Sequence, residues 1–594
     1  MHELSVPPIV TVADGDRLSD MVLDNAREVP ELVSFGRRAS DGSWEDVTAA
    51  EFAAEVTAVS RGLIAAGVRP GERVALMSAT RYEWTLLDYA IWSAGAIVVP
   101  VYETSSAEQV DWILADSGAV AVVVETEAHL ALVEQSAAAP KLRWTFGQLP
   151  ALIAPGSSVT DEQAEAARTA VQADDVATIV YTSGTTGRPK GCVLTHRNLL
   201  ADVKAGNEVL RPVYDEDGST LLFLPLAHVF GRVIEIGSVL QRSKLGHTAD
   251  VRRLPEDLRA FRPTFILAVP RVFEKAYNTA RQTAYAAGRA RVFDAAEATA
   301  IAYSKALQKG RVSPLLKARH ALFDKLVYVR IRAALGGRCT HAISGGAALG
   351  ERLGHFFRGA GITVLEGYGL TETSAGATLN LKDAQRVGTV GRPVPGTAVK
   401  IAEDGEILLR GANVFDGYWH NEAASAEVFA DGWFRTGDLG TLDDDGYLTV
   451  TGRKKDLIVT AAGKNVAPAV LEDRLRAHPL VGQCMVVGDR QPFVGALVTI
   501  DEDAWPGWLA AHGRQAGTPV AELREDPDLR ATVQEAVDEA NKAVSRPESI
   551  REFRVLPVDF TEAGGELTPS LKVRRAEVLK RYAPEVAALY GAVV

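Results

Sequence analysis

Cysteine is scarce in this sequence, which contains only 3 in 594 residues. Cys192, Cys339 and Cys484 stand far apart and are odd in number, so the chain offers neither a disulfide framework nor a CxxC metal-binding pair. Chains without disulfides are typical of reducing compartments. We therefore expect this protein in the cytoplasm.

Long apolar runs are missing as well. The most apolar stretch, residues 89–101, is thirteen residues long, whereas a membrane-spanning helix needs about 20. The opening residues, MHELSVPPIV, lack a basic segment followed by an apolar one. We expect neither a signal peptide nor a transmembrane helix.

The chain has no overall excess of basic residues. Its 64 Lys and Arg stand against 76 Asp and Glu, a net charge of −12, which argues against a nucleic-acid partner. Residues 275–332 are the exception, because twelve Lys or Arg and three Asp or Glu there give a net charge of +9. This helical stretch is either a solvated face or a surface for anionic lipid headgroups or the phosphates of a nucleotide thiol.

What is present is a segment rich in glycine and hydroxyl groups, TSGTTGRPKG at residues 182–191. It follows the apolar run 176–181, which predicts a buried strand. Its glycines allow close backbone approach, while its hydroxyls and Lys190 supply hydrogen bonds and charge, so we predict a polyphosphate-binding loop. It is not a Walker loop, because Pro189 stands where the second glycine of GxxxxGK would be. A surface turn is the alternative interpretation.

Helix-like and strand-like patterns alternate before this segment. Strands are predicted at residues 74–77, 96–101 and 119–124, and helices near 84–94 and 107–117. Such alternation predicts an α/β fold with mainly parallel sheets flanked by helices. Ligands of these sheets bind at the carboxyl ends of strands. Beyond residue 450 the predicted elements become shorter, which indicates a small α+β domain.

Several later segments end a strand-like run in glycine or polar residues. They place Gly345 and Gly346 after residues 342–344, and Gly367, Tyr368, Thr371 and Glu372 after residues 364–366. An aromatic ring suits a nucleobase, a hydroxyl suits a phosphate, and a carboxylate suits Mg²⁺. Asp438, in GWFRTGD, is suited to accept hydrogen bonds from ribose, and a structural Asx turn is its alternative.

Three other residues have two interpretations each. His228 lies among apolar neighbours and either lines a pocket or is a satisfied core histidine. Phe273, in VPRVFEK, either faces the pocket or packs in the core. Lys572, in the loop LTPSLK, is by itself an ordinary solvated lysine.

Taken together, these segments resemble the adenylate-forming superfamily of acyl-CoA synthetases, luciferases and peptide-synthetase adenylation domains. YTSGTTGRPKG, EGYGLTET, GWFRTGD, TGRKKD and LTPSLK occur in the family's order over nearly the whole chain. LPLAHVFGR, VPRVFEK and GKNVAPAVLE look like the long-chain fatty acyl-CoA synthetase branch, particularly its actinobacterial type. The resemblance implies a large N-terminal adenylate-forming domain at residues 1–453 and a small mobile C-terminal domain at 454–594, with a hinge near Lys455.

The resemblance also implies a reaction and a set of ligands. A long-chain fatty acid and ATP, with Mg²⁺, would form acyl-AMP, which CoA would then convert to a thioester. The residues expected to cover the ATP phosphates are Thr182, Ser183, Gly184, Thr185, Thr186, Gly187 and Lys190. Those expected to frame adenine are Gly345, Gly346, Ala347, Gly367 and Tyr368, and those expected to hold ribose are Asp438 and Arg453.

Catalytic and substrate roles follow from the same resemblance. Thr371 and Glu372 would complete phosphate and Mg²⁺ binding, and Lys572 would contact the substrate carboxylate and the α-phosphate. After rotation of the C-terminal domain about Lys455, Gly463 and Lys464 would face CoA. The residues expected to contact the acyl chain or its carboxylate are His228 and Phe273.

Rival interpretations remain open from the sequence. They are a fatty acyl-AMP ligase that delivers to a carrier protein, a medium-chain or aryl CoA ligase, and a catalytically silent binding or scaffold protein of the same fold. The intact GKNVAPAV loop favours CoA, and the retained Glu372, Asp438, Arg453 and Lys572 favour an enzyme. Peripheral association with the inner membrane surface and a homodimer are family-level expectations.

Overall fold

The computed structural model describes residues 2–39, 41–182, 188–211, 213, 217–568 and 571–591. The strands up to the middle of the chain are β1 Glu3–Ser5, β2 Val33–Arg38, β3 Trp44–Thr48, β4 Arg73–Met77, β5 Ile97–Val101, β6 Ala121–Val124, β7 Leu142–Thr145, β8 Val176–Thr182, β9 Lys190–Thr195, β10 Ser219–Leu222, β11 Lys244–His247 and β12 Phe265–Ala268. The later strands are β13 His341–Ser344, β14 Thr363–Tyr368, β15 Thr378–Leu379, β16 Arg392–Pro393, β17 Thr397–Ile401, β18 Glu406–Gly411, β19 Phe429–Ala430, β20 Trp433–Leu442, β21 Leu448–Arg453, β22 Ile458–Val459, β23 Asn465–Val466, β24 Val481–Val487, β25 Val494–Ile500 and β26 Ile550–Val555.

Helices connect most of these strands. Those before β13 are α1 Asp20–Glu28, α2 Ala49–Ala65, α3 Tyr82–Ser93, α4 Ala107–Ser117, α5 Glu127–Glu134, α6 Leu149–Ile153, α7 Asp161–Thr169, α8 His196–Leu210, α9 Val229–Gln241, α10 Leu254–Phe261, α11 Pro270–Ala286, α12 Ala290–Gln308, α13 Pro314–Phe323 and α14 Val329–Ala334. Those after β13 are α15 Glu351–Gly359, α16 Glu422–Val428, α17 Pro468–Arg476, α18 Trp505–Ala511, α19 Val520–Leu523, α20 Pro527–Asn541, α21 Arg575–Arg581 and α22 Ala583–Tyr590.

The sheet that leads into the glycine-rich segment has the strand order β7-β6-β4-β5-β8-β9. Its strands pair in parallel except for β9, which returns antiparallel to β8. Val74 and Leu76 belong to one apolar cluster and Ala75 and Met77 to another, because successive strand residues point to opposite faces. A parallel sheet buried on both faces confirms the predicted α/β alternation.

A second sheet brings together three segments that the sequence singled out. Its order is β12-β13-β14-β15-β16, and β12, β13 and β14 are parallel. Their carboxyl ends therefore lie at one edge, where Gly345 and Gly346 follow β13 and the turn containing Thr371 and Glu372 follows β14. This edge is where ligands of parallel sheets bind.

Two further sheets complete the large N-terminal region. One has the order β10-β11-β2-β3, and the other is antiparallel with the order β1-β17-β18-β20-β19 and β21 paired to β20. In the antiparallel sheet, Asp438 of β20 lies opposite Arg453 of β21. The register therefore puts two predicted ribose-binding residues side by side.

The C-terminal region has apolar clusters of its own. One cluster runs from Ile458 to Val555 and another from Met485 to Leu589, around the sheet β24-β25-β26. Asp526 caps α20 by accepting hydrogen bonds from the N–H groups of Asp528 and Leu529. These short mixed elements agree with the predicted small α+β region.

Residues 275–332 are helical, as predicted, and comprise most of α11, α12, α13, a π-helical turn at Asp324–Tyr328 and the start of α14. Across the described ranges, no helix is both long and apolar enough to cross a membrane. Cys192, Cys339 and Cys484 are buried free thiols.

Candidate active site

A cavity of about 3160 Å³ separates the large N-terminal region from the C-terminal region. The residues from the predicted set that line it are Thr182, Lys190, His228, Gly345, Gly346, Ala347, Gly367, Tyr368, Thr371, Glu372, Asp438, Arg453, Lys455 and Lys572. Ser183, Gly184, Thr185, Thr186 and Gly187 lie outside the described residues. Residues from distant parts of the chain thus meet in one cleft, the arrangement expected of a ligand site.

On one wall, Lys190 and Glu372 are joined through Tyr418. The Lys190 ammonium lies 5.1 Å from the centroid of the Tyr418 ring, and the Tyr418 hydroxyl donates to Glu372 Oε1 at 2.8 Å. Burial, followed by the charge of Glu372, raises the pKa of Tyr418, so its hydroxyl stays protonated and remains a donor. The cluster sets a cation and a carboxylate at fixed positions beside the end of β8.

Gly191 permits this arrangement. A Cβ atom at that position would lie 2.7 Å from Ile179 Cγ2 and 3.2 Å from Trp419 Cβ. The Trp419 N–H donates to the Gly191 carbonyl at 2.7 Å, and Tyr418 forms an isolated β-bridge with Cys192, so the segment containing Tyr418 approaches β9 closely. A larger residue would push the two segments apart.

On a second wall, Tyr368, Asp438 and Arg453 form a hydrogen-bonded group. The Tyr368 hydroxyl donates to Asp438 Oδ2 at 2.7 Å, and Arg453 Nε donates to Asp438 Oδ1 at 2.8 Å. The Asp438 side chain is 8% exposed and that of Arg453 is 48% exposed. Burial and the charge of Asp438 raise the pKa of Tyr368. A nearly buried carboxylate is thus oriented by two donors.

The floor between these walls is the turn after β13. Gly346 has φ +83°, a left-handed conformation that favours glycine. A Cβ atom at Gly345 would lie 3.2 Å from Phe230 Cζ. Gly346 and Ala347 are exposed and line the cleft.

Lys572 enters the cleft from the C-terminal region. Its Cε lies 4.0 Å from the position that a Cβ atom would take on Gly346, and its N–H donates to Thr568 Oγ1 at 3.0 Å. The surrounding protein and the nearby Arg453 lower the pKa of Lys572, while Asp438 and Glu372 oppose that shift. The side chain still contacts solvent through the open cleft.

His228 lines the same cleft at the N-terminus of α9. Its Nδ1 accepts a hydrogen bond from the Phe230 N–H at 3.1 Å. Burial, with a contribution from Lys572, lowers its pKa to about 3. At neutral pH the ring is therefore uncharged, and its proton resides on Nε2, which is left as a donor.

Phe273 requires a correction, because it does not line the cleft. It is fully buried and its ring packs against Phe357 at a centroid distance of 5.5 Å. Arg271, Glu274 and Tyr277 of the same helix line the cavity instead. An apolar ring gains most by leaving water altogether, which explains its position in the core.

The predicted hinge and CoA-side residues lie away from the cleft floor. Lys455 is exposed in the short 3₁₀ turn Lys454–Asp456 at the edge of the cavity. Gly463 and Lys464 do not line the cavity, and Lys464 Nζ forms an ion pair with Glu548 at 3.2 Å. Lys572 therefore lines the cleft, whereas Lys464 lies outside it and pairs with Glu548.

Sequence reasoning missed two residues of the cleft. Tyr418 lies between Lys190 and Glu372, and Glu366 accepts a hydrogen bond from the Leu349 N–H at 3.1 Å while burial raises its pKa to about 7. Glu366 is the first residue of the motif EGYGLTET. Tyr418, in the glycine–aromatic stretch GYW, was detectable only as an aromatic residue after a glycine.

Glu372 is the predicted Mg²⁺ ligand of this site. Among the residues that the structure describes, no group of three or more His, Cys, Asp or Glu is arranged to hold a metal ion. Mg²⁺ commonly takes one or two carboxylates and completes its shell with substrate phosphates and water. Glu372, which is linked through Tyr418 to Lys190, fits a metal that binds together with a nucleotide.

Comparisons with known proteins identify the family. The AMP-binding enzyme family matches residues 24–419, and its C-terminal domain family matches residues 455–594. Long-chain-fatty-acid–CoA ligase FadD15 of Mycobacterium bovis is 52% identical, and that of Mycobacterium tuberculosis is 51% identical, each over 100% of both chains.

A solved structure shows the same fold. It is the A domain of carboxylic acid reductase from Segniliparus rugosus, in complex with AMP and a co-purified carboxylic acid, with a TM-score of 0.72 and 20% identity over 98% of this chain and 95% of its own. The resemblance noted from the sequence motifs is confirmed by these matches. The chain belongs to the AMP-binding enzyme family, the adenylate-forming superfamily.

Proposed function

We propose that this protein is a long-chain-fatty-acid–CoA ligase that forms acyl-CoA, AMP and pyrophosphate through acyl-AMP. The supporting observation is the position of Lys572, from the C-terminal region, in one cleft with Glu372, Asp438 and Arg453. The full-length relatives at 51% and 52% identity have this activity in their names.

Nucleotide binding uses the two walls and the floor of the cleft. Thr182, Lys190 and Thr371 bind the phosphates, together with the predicted loop residues Ser183, Gly184, Thr185, Thr186 and Gly187. Gly345, Gly346, Ala347, Gly367 and Tyr368 frame the adenine. Asp438 and Arg453 bind the ribose hydroxyls, and this role is supported by the carboxylate orientation that Tyr368 and Arg453 impose.

Adenylation joins two anions. An oxygen of the fatty acid carboxylate attacks the α-phosphorus, a new O–P bond forms, and the bond to pyrophosphate breaks. Lys572 and Lys190 offset the negative charge that accumulates in the transition state. His228 donates from Nε2 to the carboxylate, a role supported by the acceptor state of its Nδ1.

Glu372 holds Mg²⁺ in this proposal. The metal, when bound, supplies additional neutralisation of phosphate charge. Tyr418 orients the carboxylate by donating to Glu372 Oε1, and Thr371 precedes it in the same turn.

Thioester formation uses a different arrangement of the C-terminal domain. The CoA sulfur attacks the acyl carbon, and AMP leaves. We infer a rotation of residues 454–594 about Lys455 that withdraws Lys572 and brings Gly463 and Lys464 toward CoA. The separate apolar clusters of the C-terminal region and the exposed position of Lys455 support this rotation.

Product analysis by mass spectrometry tests this function across acids of increasing chain length. With ATP and a long-chain acid we expect acyl-AMP and pyrophosphate, and with CoA added we expect acyl-CoA and AMP. Highest activity on a short, medium-chain or aromatic acid would contradict the substrate assignment. Transfer to a carrier protein but not to CoA would indicate an acyl-AMP ligase, and no product with any acid would indicate a silent scaffold.

A homodimer and contact with a membrane surface are also proposed, from the family resemblance. Light scattering of the purified protein measures the first. A mass near twice 63.6 kDa supports a dimer, and a mass near 63.6 kDa contradicts it.

A further inference from the structure

Arg352 lines the cleft and joins the large region to the C-terminal region. It is the second residue of α15, and its side chain is 34% exposed. Its Nη2 donates a hydrogen bond to the carbonyl oxygen of Ala477 at 2.9 Å. Ala477 directly follows the last residue of α17, so the guanidinium lies at the C-terminus of that helix. A cation is favourable there, because the final carbonyls of a helix have partial negative charge.

Two side chains of the large region orient the Arg352 guanidinium. Its Nη1 forms an ion pair with Glu297 of α12, and its Cζ lies 4.6 Å from the centroid of the Tyr277 ring of α11. The Tyr277 hydroxyl donates to the other carboxylate oxygen of Glu297 at 2.8 Å. A planar guanidinium held by a carboxylate and a ring on its own side presents its remaining N–H groups in a fixed direction, here toward α17.

The histidine next to Ala477 does not oppose this contact. Burial, followed by the charges of Arg281 and Arg352, lowers the pKa of His478 to about 4. The imidazole is therefore uncharged at neutral pH, and no second cation stands beside the guanidinium at that position.

Helix α17 also contacts the segment that contains Lys572. Glu472, in the middle of α17, is buried, and its Oε1 accepts hydrogen bonds from Arg575 Nη1 at 2.6 Å and from the Val486 N–H at 2.7 Å. Arg575 is the first residue of α21 and stands three residues after Lys572. One short helix thus connects the Arg352 contact at its end to the lysine segment at its middle.

We propose that Arg352 is a positioning residue for adenylation, which holds α17 against the large region and thereby keeps Lys572 in the cleft. It acts through Ala477, α17 and the pair Glu472–Arg575. This inference rests on the proposed function and deepens it, because it names a contact that must break before the C-terminal region can rotate for thioester formation.

Quenched single-turnover assays of the two half-reactions test this role. Arg352→Ala should slow acyl-AMP formation by about 20-fold and leave thioester formation from supplied acyl-AMP within about twofold of wild type. The loss should be smaller than that of Lys572→Ala, because Arg352 acts through Lys572. Equal losses in both steps, or no loss in either, would overturn the proposal.

A double variant separates positioning from general stabilisation of the fold. If Arg352 acts through Lys572, Arg352→Ala with Lys572→Ala should form acyl-AMP no more than about twofold slower than Lys572→Ala alone. Losses that multiply would overturn the proposal, because they would show that Arg352 acts independently of Lys572.

Tyr277→Phe is a milder variant that keeps the ring beneath the guanidinium and removes the hydroxyl that orients Glu297. It should slow acyl-AMP formation by about threefold and spare thioester formation. Arg358→Ala is the matched control, since Arg358 is a half-buried arginine of the same helix that does not line the cleft. Both of its half-reactions should stay within about twofold of wild type.

Thermal unfolding of each variant shows whether it is folded. If Arg352→Ala does not fold, Tyr277→Phe decides: a loss confined to acyl-AMP formation supports the proposal, and an equal loss in both steps or none overturns it. A loss in Arg358→Ala as large as that in Arg352→Ala would also overturn it. A wild-type protein that forms no acyl-AMP with any acid would refute the proposed function itself, whereas an active wild type with an unaffected Arg352→Ala would refute only this inference.

Discussion

The two halves of the cleft are held in different ways. In the large region, Asp438 accepts a hydrogen bond of 2.7 Å from Tyr368 and one of 2.8 Å from Arg453 of the paired strand. Lys572 reaches the cleft from a region whose contacts with the rest include the ion pairs Arg271–Asp501 and Lys275–Asp503, both at 2.9 Å. The exposed Lys275–Asp503 pair contributes little stability. The proposed nucleotide half is thus linked by hydrogen bonds within the large region, whereas the proposed catalytic cation, Lys572, comes from the C-terminal region.

Removing the Lys572 ammonium should have the largest effect on the rate of acyl-AMP formation. Lys572→Ala is expected to slow acyl-AMP formation by about 100- to 1000-fold, because a positioned donor to transition-state charge is lost. Thioester formation from supplied acyl-AMP should stay within about twofold of wild type. Quenched single-turnover assays measure both steps, with the exposed Lys580→Ala as control. Equal loss in both steps would refute the assignment.

Removing the Asp438 charge from the proposed nucleotide site should have the next largest effect, on the KM for ATP. Asp438→Asn removes the charge that accepts hydrogen bonds from Tyr368 and Arg453, and the KM for ATP should rise by about 30-fold. Asp445→Asn, on an exposed carboxylate paired with Arg386, is the control. An unchanged KM for ATP would remove Asp438 from the nucleotide site.

Stiffening the hinge should separate the two steps. Lys455→Pro fixes one backbone dihedral in the turn Lys454–Asp456, and we expect roughly tenfold slower acyl-CoA turnover with near-normal acyl-AMP formation. Lys455→Ala keeps the backbone free and should behave like wild type. If the proline variant shows unchanged kinetics in both steps, the hinge does not lie there.

Loosening the contact between the regions should have a smaller effect. Arg271→Ala breaks the ion pair with Asp501, in which the Arg271 side chain is 23% exposed and that of Asp501 is 12% exposed. Acyl-AMP formation should fall by about fivefold. Thioester formation should not fall. Asp501→Ala should have the same effect, and the double variant should add little to either. Fully additive losses would show that the pair does not act as a unit.

The pH dependence should distinguish the same two steps. Because the pKa of Lys572 is lowered, its ammonium loses a proton at a lower pH than an ordinary lysine. Acyl-AMP formation should therefore decline on the alkaline side earlier than thioester formation, and Lys572→Arg should move that decline to higher pH. His228, whose pKa is about 3, should add no step near neutral pH. Parallel alkaline declines in both steps would contradict this account.

Much of the fold was predictable from local pattern. The strands β4, β5 and β6 and the helices α3 and α4 lie where hydrophobic periodicity predicted them. Asp526 and Pro527 begin α20, since both residues act through neighbouring backbone atoms. Such features depend on residues close in the sequence.

Contacts between distant residues were not predictable in the same way. Phe273 and Tyr277 belong to one helix, yet Phe273 is sealed in the core against Phe357 while Tyr277 lines the cavity. Tyr418 lines the cleft next to Lys190, and this contact depends on β9, which is far from Tyr418 in the sequence. The sequence also left Lys572 as an ordinary charge, and only the motif resemblance assigned it to a site.

Cross-linking the two regions tests the central claim most directly. Lys275 and Asp503, whose side chains are 67% and 62% exposed, are each replaced by Cys and joined with a short bismaleimide, while the three natural thiols are buried. The linked enzyme should form acyl-AMP within about twofold of the unlinked rate but should not convert supplied acyl-AMP and CoA to acyl-CoA. Thioester formation by the linked enzyme at the unlinked rate would contradict delivery and withdrawal of Lys572 by a rotating domain.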